Sequence, residues 1–111
     1  MPTKVFEGKY KNSSDQIYLI KDGKFYRGKY SNSSDEIKNI KAAGITIDDN
    51  KVYKGKYHNS SDHIMTLDEE KIYKGKYTNS SDQIATIDGD ALDSDELFTL
   101  LYLLAQHNNL I

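Results

Sequence analysis

The residues best suited to chemistry recur. Gly-Lys-Tyr occurs four times, setting Lys9, Lys29, Lys56 and Lys76 beside Tyr10, Tyr30, Tyr57 and Tyr77. Lysines interleaved with aromatics suit single-stranded nucleic acid or phosphorylated ligands, because the ammonium meets phosphate while the ring stacks on a base. The competing role is structural. In a chain poor in aliphatics, aromatic rings must supply much of the buried area, and each lysine can pair with a turn aspartate. On that reading the four tyrosines are more buried than the four lysines.

Each triplet is followed by Asn-Ser-Ser-Asp. Oxygen ligands suit a hard cation, but one run holds too few carboxylates. A site would need Asp15, Asp35, Asp62 and Asp82 together. The runs also match the N-glycosylation acceptor at Asn12, Asn32, Asn59 and Asn79. The plainer role is a turn in which short polar side chains bond neighbouring backbone. His58, Asp62 and His63 could flank one turn as metal ligands. Their counterparts in other copies, Lys11, Ser31 and Thr78 for His58 and Gln16, Glu36 and Gln83 for His63, vary as exposed positions do.

Other chemistry is excluded more firmly. There is no cysteine, so disulfides, thiolate metal sites and Cys nucleophiles are ruled out. No phosphate loop, zinc-hydrolase helix motif or nucleophile elbow occurs. The serines sit in the turns, with no histidine at a repeated position to activate them. The expectation is a protein that is not an enzyme and carries no cofactor and no metal. Nucleic acid is disfavoured by a net charge of −2. The opening MPTKVFEGKY holds no apolar run of the kind found in a secretory leader. No stretch has the roughly 18–20 apolar residues of a membrane span. A soluble, cytoplasmic protein is expected.

The elements that position these residues follow from the repeat. Lys, apolar, aromatic, any residue, Gly-Lys-Tyr, any residue, Asn-Ser-Ser-Asp, any residue, Ile begins at Lys4, Lys24, Lys51 and Lys71. A single domain over 1–111 is expected, with repeats at about 4–23, 24–50, 51–70 and 71–89 and a tail over 90–111. The second repeat is seven residues longer, and the insertion falls within Lys38–Thr46. In Lys71–Tyr77, Tyr73, Gly75 and Tyr77 share one face and Ile72, Lys74 and Lys76 the other, a strand signal. Each repeat is thus a β-hairpin, and Asp22-Gly23 turns tightly into the next. Eight strands in a meander are expected. A glycine inside a strand is unfavourable. Two explanations fit Gly8, Gly28, Gly55 and Gly75: crowding at a central axis, or a neighbouring aromatic ring lying over each.

Composition changes near Asp90. All 15 Lys and Arg precede residue 77, and residues 77–111 carry six acids. The tail turns leucine-rich, which suits a helix. Asp93-Ser-Asp-Glu96 matches a capping box, and Leu92 and Leu97 a hydrophobic staple. Asn108-Asn109 can stop the helix. A helix over 93–107 is expected to bury Leu97, Leu100, Leu101 and Leu104. Because Phe98, Tyr102 and Ala105 widen the apolar stripe, self-association through Leu97, Phe98, Leu100, Leu101 and Leu104 is expected. The alternative is a concave petal assembly that takes in the whole helix.

Four copies of aromatic-any-Gly-Lys-Tyr with a Ser-Asp turn resemble the bacterial four-fold β-flower family, over about residues 4–89. The resemblance implies a mainly β fold of four β-hairpin petals about a pseudo-four-fold axis, joined here by one C-terminal α-helix. It implies no chemistry. The expected function is a non-enzymatic binding or assembly module of unidentified ligand, with an anion- or nucleic-acid-binding basic-aromatic module as the alternative.

Overall fold

The computed structural model describes residues 2–111. Eight strands form one antiparallel sheet: β1 Thr3–Glu7, β2 Gln16–Lys21, β3 Lys24–Arg27, β4 Ile45–Asp48, β5 Lys51–Lys54, β6 His63–Asp68, β7 Lys71–Lys74 and β8 Gln83–Gly89. One helix, α1 Ser94–His107, follows. The strand order is β3-β2-β1-β8-β7-β6-β5-β4. A simple meander would leave the first and last strands at the edges. Here β8 returns to pair with β1, joining the fourth repeat to the first.

That joint copies the others. Thr86 faces Phe6 as Thr66 faces Tyr73, Thr46 faces Tyr53 and Leu19 faces Tyr26. Every repeat therefore hands its returning strand to the next repeat in one register. The two edge strands, β3 and β4, both belong to the long second repeat. There Glu36 and Ile37 pair with β3, through the bridge to Tyr26 and a 2.8 Å bond from the Ile37 N–H to the Phe25 carbonyl. The chain then leaves the sheet and re-enters as β4. Gly44 accepts from the Gly55 N–H as Ile64 accepts from the Gly75 N–H. The insertion is thus Lys38–Gly44, and it splits one returning strand into two pieces.

Because odd strands all run one way, the four Gly-Lys-Tyr loops leave one rim of the sheet and the tight turns lie at the other. Asp22 and Gly23 both have positive φ (52° and 76°), the pairing that matches a tight turn to strand twist.

Strand alternation sends Val5, Tyr18, Ile20, Phe25, Val52, Met65, Ile72 and Ala85 to the inner face. α1 starts at the turn rim and packs along that face, with Leu100, Leu101 and Leu104 completely buried. At 14 residues it is about 21 Å long, at about 1.5 Å per residue. Its ends match the expected signals. The Asp93 carboxylate accepts from the Glu96 N–H at 2.8 Å, and the Glu96 side chain accepts from the Asp93 N–H at 3.1 Å. Asn109 turns left-handed (φ 57°) after the last turn, and the Leu110 N–H donates to the Ala105 carbonyl at 2.7 Å.

The expectation for the helix surface needs correction. Leu100, Leu101 and Leu104 are spent inside this chain and offer nothing to a second copy. A closed-in sheet supplies a concave bed that a single hairpin layer would lack, so both stripes of the helix find cover. Of the helix's apolar side chains, Leu97, Phe98 and Tyr102 stay half-buried. Leu101→Ala should therefore cost about 2–5 kcal/mol, the range for deleting a buried leucine. A fall in the urea midpoint at constant slope checks it.

Candidate functional site: four glycine-clamped loops

Each loop begins with a glycine bonded to the adjacent strand, through two bonds in three repeats and one in the second. The N–H groups of Gly8, Gly28, Gly55 and Gly75 donate to the carbonyls of Ile84, Ile17, Gly44 and Ile64 at 2.7–2.9 Å. The carbonyls of Gly8 and Gly75 accept from the hydroxyls of Thr86 and Thr66 at 2.8 and 2.7 Å, and that of Gly55 from the Thr46 hydroxyl. Leu19 stands in the corresponding place for Gly28. The four glycines have φ between 80° and 86°, a region where a Cβ meets the following carbonyl. Neither explanation offered for them holds. A Cβ built on any of the four meets nothing within 4 Å, so neither an axis nor a ring crowds them. Backbone conformation alone demands glycine.

The left-handed residue also breaks strand alternation, and this relocates the tyrosines. β7 ends at Lys74, so Tyr77 does not continue the face of Tyr73. Tyr10, Tyr30, Tyr57 and Tyr77 are 65–68% exposed, contrary to the expectation that they pack. The buried aromatic is the earlier one: Phe6, Tyr26, Tyr53 and Tyr73 are at most 8% exposed. They lie on the outer face, opposite the helix.

The loops fold back over that outer face. His58 stacks on Tyr53 with ring centroids 5.2 Å apart, and His63 flanks the same ring at 5.2 Å. Lys11, the counterpart of His58, reaches Glu70 at 3.1 Å and Asp88 at 3.5 Å. His58 likewise meets Asp48 at 3.4 Å. Glu70, Asp88 and Asp48 all lie toward the turn rim, so each of these loops spans the outside of the sheet. The Ser-Ser-Asp segments form single 3₁₀ turns closed by backbone, with the Asp N–H donating to the Asn carbonyl at 2.9 Å in all four. The Asn side chains make no cap bond there, against the expectation of side-chain closure. Among the described residues, no three His, Asp or Glu side chains gather as a metal site. Asp15, Asp35, Asp62 and Asp82 therefore form no ring, and His58, Asp62 and His63 no cluster.

Lys9, Lys29, Lys56 and Lys76 are exposed beside the tyrosines. The arrangement thus presents an uncovered ring and an ammonium from each of four loops, on a clamped base.

Sequence variation at His63 is misleading. It is half-buried, and its Nε2 lies 2.9 Å from the Thr66 hydroxyl. That hydroxyl donates to Gly75, so the imidazole donates to the hydroxyl. Gln83 does the same to Thr86 at 2.8 Å. The legible signal was a donor three residues before a threonine, in the third and fourth repeats. Burial holds the His63 pKa below its ordinary 6.5; a backbone bond to Met65 opposes this, and the charges of Lys51 and Lys76 add to it.

Two outcomes follow. Gly75→Ala should destabilise by about 1–2 kcal/mol, the cost of a left-handed non-glycine residue, whereas Tyr77→Ala should stay within about 0.5 kcal/mol as an exposed substitution. Chemical denaturation of both variants checks this contrast. For His63 the folded state prefers neutral imidazole, so its contribution is fully present above the unfolded value and is lost as pH falls through the lowered folded one. His63→Gln, which keeps the donor, should flatten that part of the stability–pH profile. An unchanged slope below pH 6.5 would refute it.

No curated protein and no solved structure matches the chain. Residues 41–107, from the middle of the insertion through both later repeats and the helix, match the family described as 6-fold beta flower protein. The expected resemblance was to a four-fold flower, and the matched family carries a different count. Four repeats in the sequence, a glycine-clamped hairpin in each and this match over more than half of the length lead to one assignment: the chain belongs to the 6-fold beta flower family.

Proposed function

We propose that the chain is a non-enzymatic binding module whose four Gly-Lys-Tyr loops form one repeated contact surface. The hairpins act as four petals about a pseudo-four-fold axis, and the helix holds them in place. The observation that carries this reading is the exposure of Tyr10, Tyr30, Tyr57 and Tyr77, which are four of the five large apolar side chains left in water among the described residues. Tyrosine joins a broad apolar face to a polar tip and is enriched where proteins meet partners. Four equivalent weak contacts add through effective concentration.

A specific observation supports an anionic ligand as the second reading. Lys9, Lys29, Lys56 and Lys76 stand exposed in the same loops. Against it, each loop also carries an aspartate, so the surface is close to neutral overall.

The test is a variant with Tyr10, Tyr30, Tyr57 and Tyr77 all changed to Ser. It should keep its circular dichroism and melting behaviour while losing at least tenfold in affinity for whichever partner co-purifies with the wild type. Replacing the four lysines by Ser should matter little unless the ligand is anionic. In that case binding to oligothymidylate, read by fluorescence anisotropy, falls steeply with salt. A partner that binds the tyrosine variant unchanged refutes the reading.

A further inference from the structure

The second repeat breaks the pattern, and the break is built like a vacancy in the sheet. In the third and fourth repeats the turn carbonyls of Asn50 and Glu70 accept from Leu67 and Ile87 at 2.8 and 2.7 Å. Gly23 occupies the matching place before β3 and has no such bond, because the returning strand has left at Lys38. β4 is the other edge strand, with no partner beyond it among the described residues. Two clefts lie along the gap, one of about 450 Å³ beside Gly23, Lys24, Phe25, Lys38 and Thr99. The other, about 290 Å³, is lined by Arg27, Lys38, Lys41, Tyr102 and Leu103 among others. Their floor is the helix and the half-buried Ile37 and Ile40.

Charge identifies what fits. Lys24, Arg27, Lys38 and Lys41 line these clefts against the single carboxylate of Glu36. An edge with free backbone groups is a template for a further strand, and strand addition is a recurrent mode of peptide capture. We propose that this seam docks an acidic, extended segment of a partner protein, which hydrogen-bonds to the β3 edge at Gly23 and the Phe25 N–H, beyond the Phe25 carbonyl that Ile37 already holds, and sets its carboxylates against these four cations. The seam is separate from the exposed tyrosines.

The experiment uses the full chain and two capped hexapeptides, one alternating Glu and Val and one alternating Lys and Val. The acidic peptide should shift and protect the amide of Phe25 in hydrogen-exchange NMR, and the basic peptide should not. Lys24→Glu combined with Lys38→Glu should weaken binding at least tenfold. Deleting Lys38–Gly44, which restores equal repeats and lets the strand run through, should abolish it. The charge-reversal pair keeps the test decisive if the deletion fails to fold. The four-tyrosine variant should bind the acidic peptide normally, which separates this site from the loop surface. Absence of binding, equal binding of the basic peptide or of oligothymidylate, or shifts centred on the loops of Tyr57 and Tyr77 would overturn the proposal.

Discussion

The architecture depends on one small clamp. A left-handed glycine gives its N–H to the neighbouring strand's carbonyl and, in three of the four repeats, takes a threonine hydroxyl on its own carbonyl. Both bonds cross between repeats, so the residue that ends one strand also ties that repeat to the one before. The conformation also turns the chain out of the sheet at a fixed angle. That exit lets the loop fold back, and the folded loop covers the aromatic ring on the outer face. A sheet that is one layer thick thereby buries both sides, the inner against α1 and the outer under its own loops.

Burial on both sides compensates for a sparse aliphatic content. Aliphatic, Met and Phe residues together with glycine number 39 of 111, below the usual share of about 45–50%. Leucines from the helix fill the interior, while one aromatic per repeat fills the outside. Tyr53 shows how local variation is absorbed, since His58 and His63 flank it where other copies use Lys11 and Gln16, or Thr78 and Gln83. These positions vary widely, and at His63 and Gln83 the side chain supplies one donor to a threonine hydroxyl.

Much of this was legible in the residues. Four copies of one motif, the Asp-Gly turn, the seven extra residues and the Asp93–Glu96 capping box all carry local signals that the folded chain obeys. The tyrosines were misread because alternation was carried through Gly75. A rule of period two holds only while φ stays in the extended region, and the recurrent glycine itself was the one local sign that the chain leaves it. The destination of the helix was illegible for a different reason. Leu100 and Leu104 look alike whether they face a neighbour or a cavity, and the cavity arises from β1 meeting β8 across most of the sequence. The hydrogen-bonding of His63 was hidden by comparison among copies, because Gln, Glu and His differ in type but two of them share a donor.

The pairing of β1 with β8 sets the order of events during folding. Thr86 reaches Gly8 across 78 positions, and Thr3 bonds to the Asp90 carbonyl across 87. Contacts this distant in sequence slow folding, since loop-closure entropy is spent before they form. A nascent chain leaving the ribosome can complete its later hairpins locally, but its first strand waits for the last. The N-terminal repeat thus remains half-sided until β8 has emerged, and the acidic helix, emerging after it, arrives at an interior already outlined. Cutting the backbone within Lys38–Gly44 and linking the end of α1 to the start of β1 would turn this order around, making the latest contact the earliest while leaving every clamp in place.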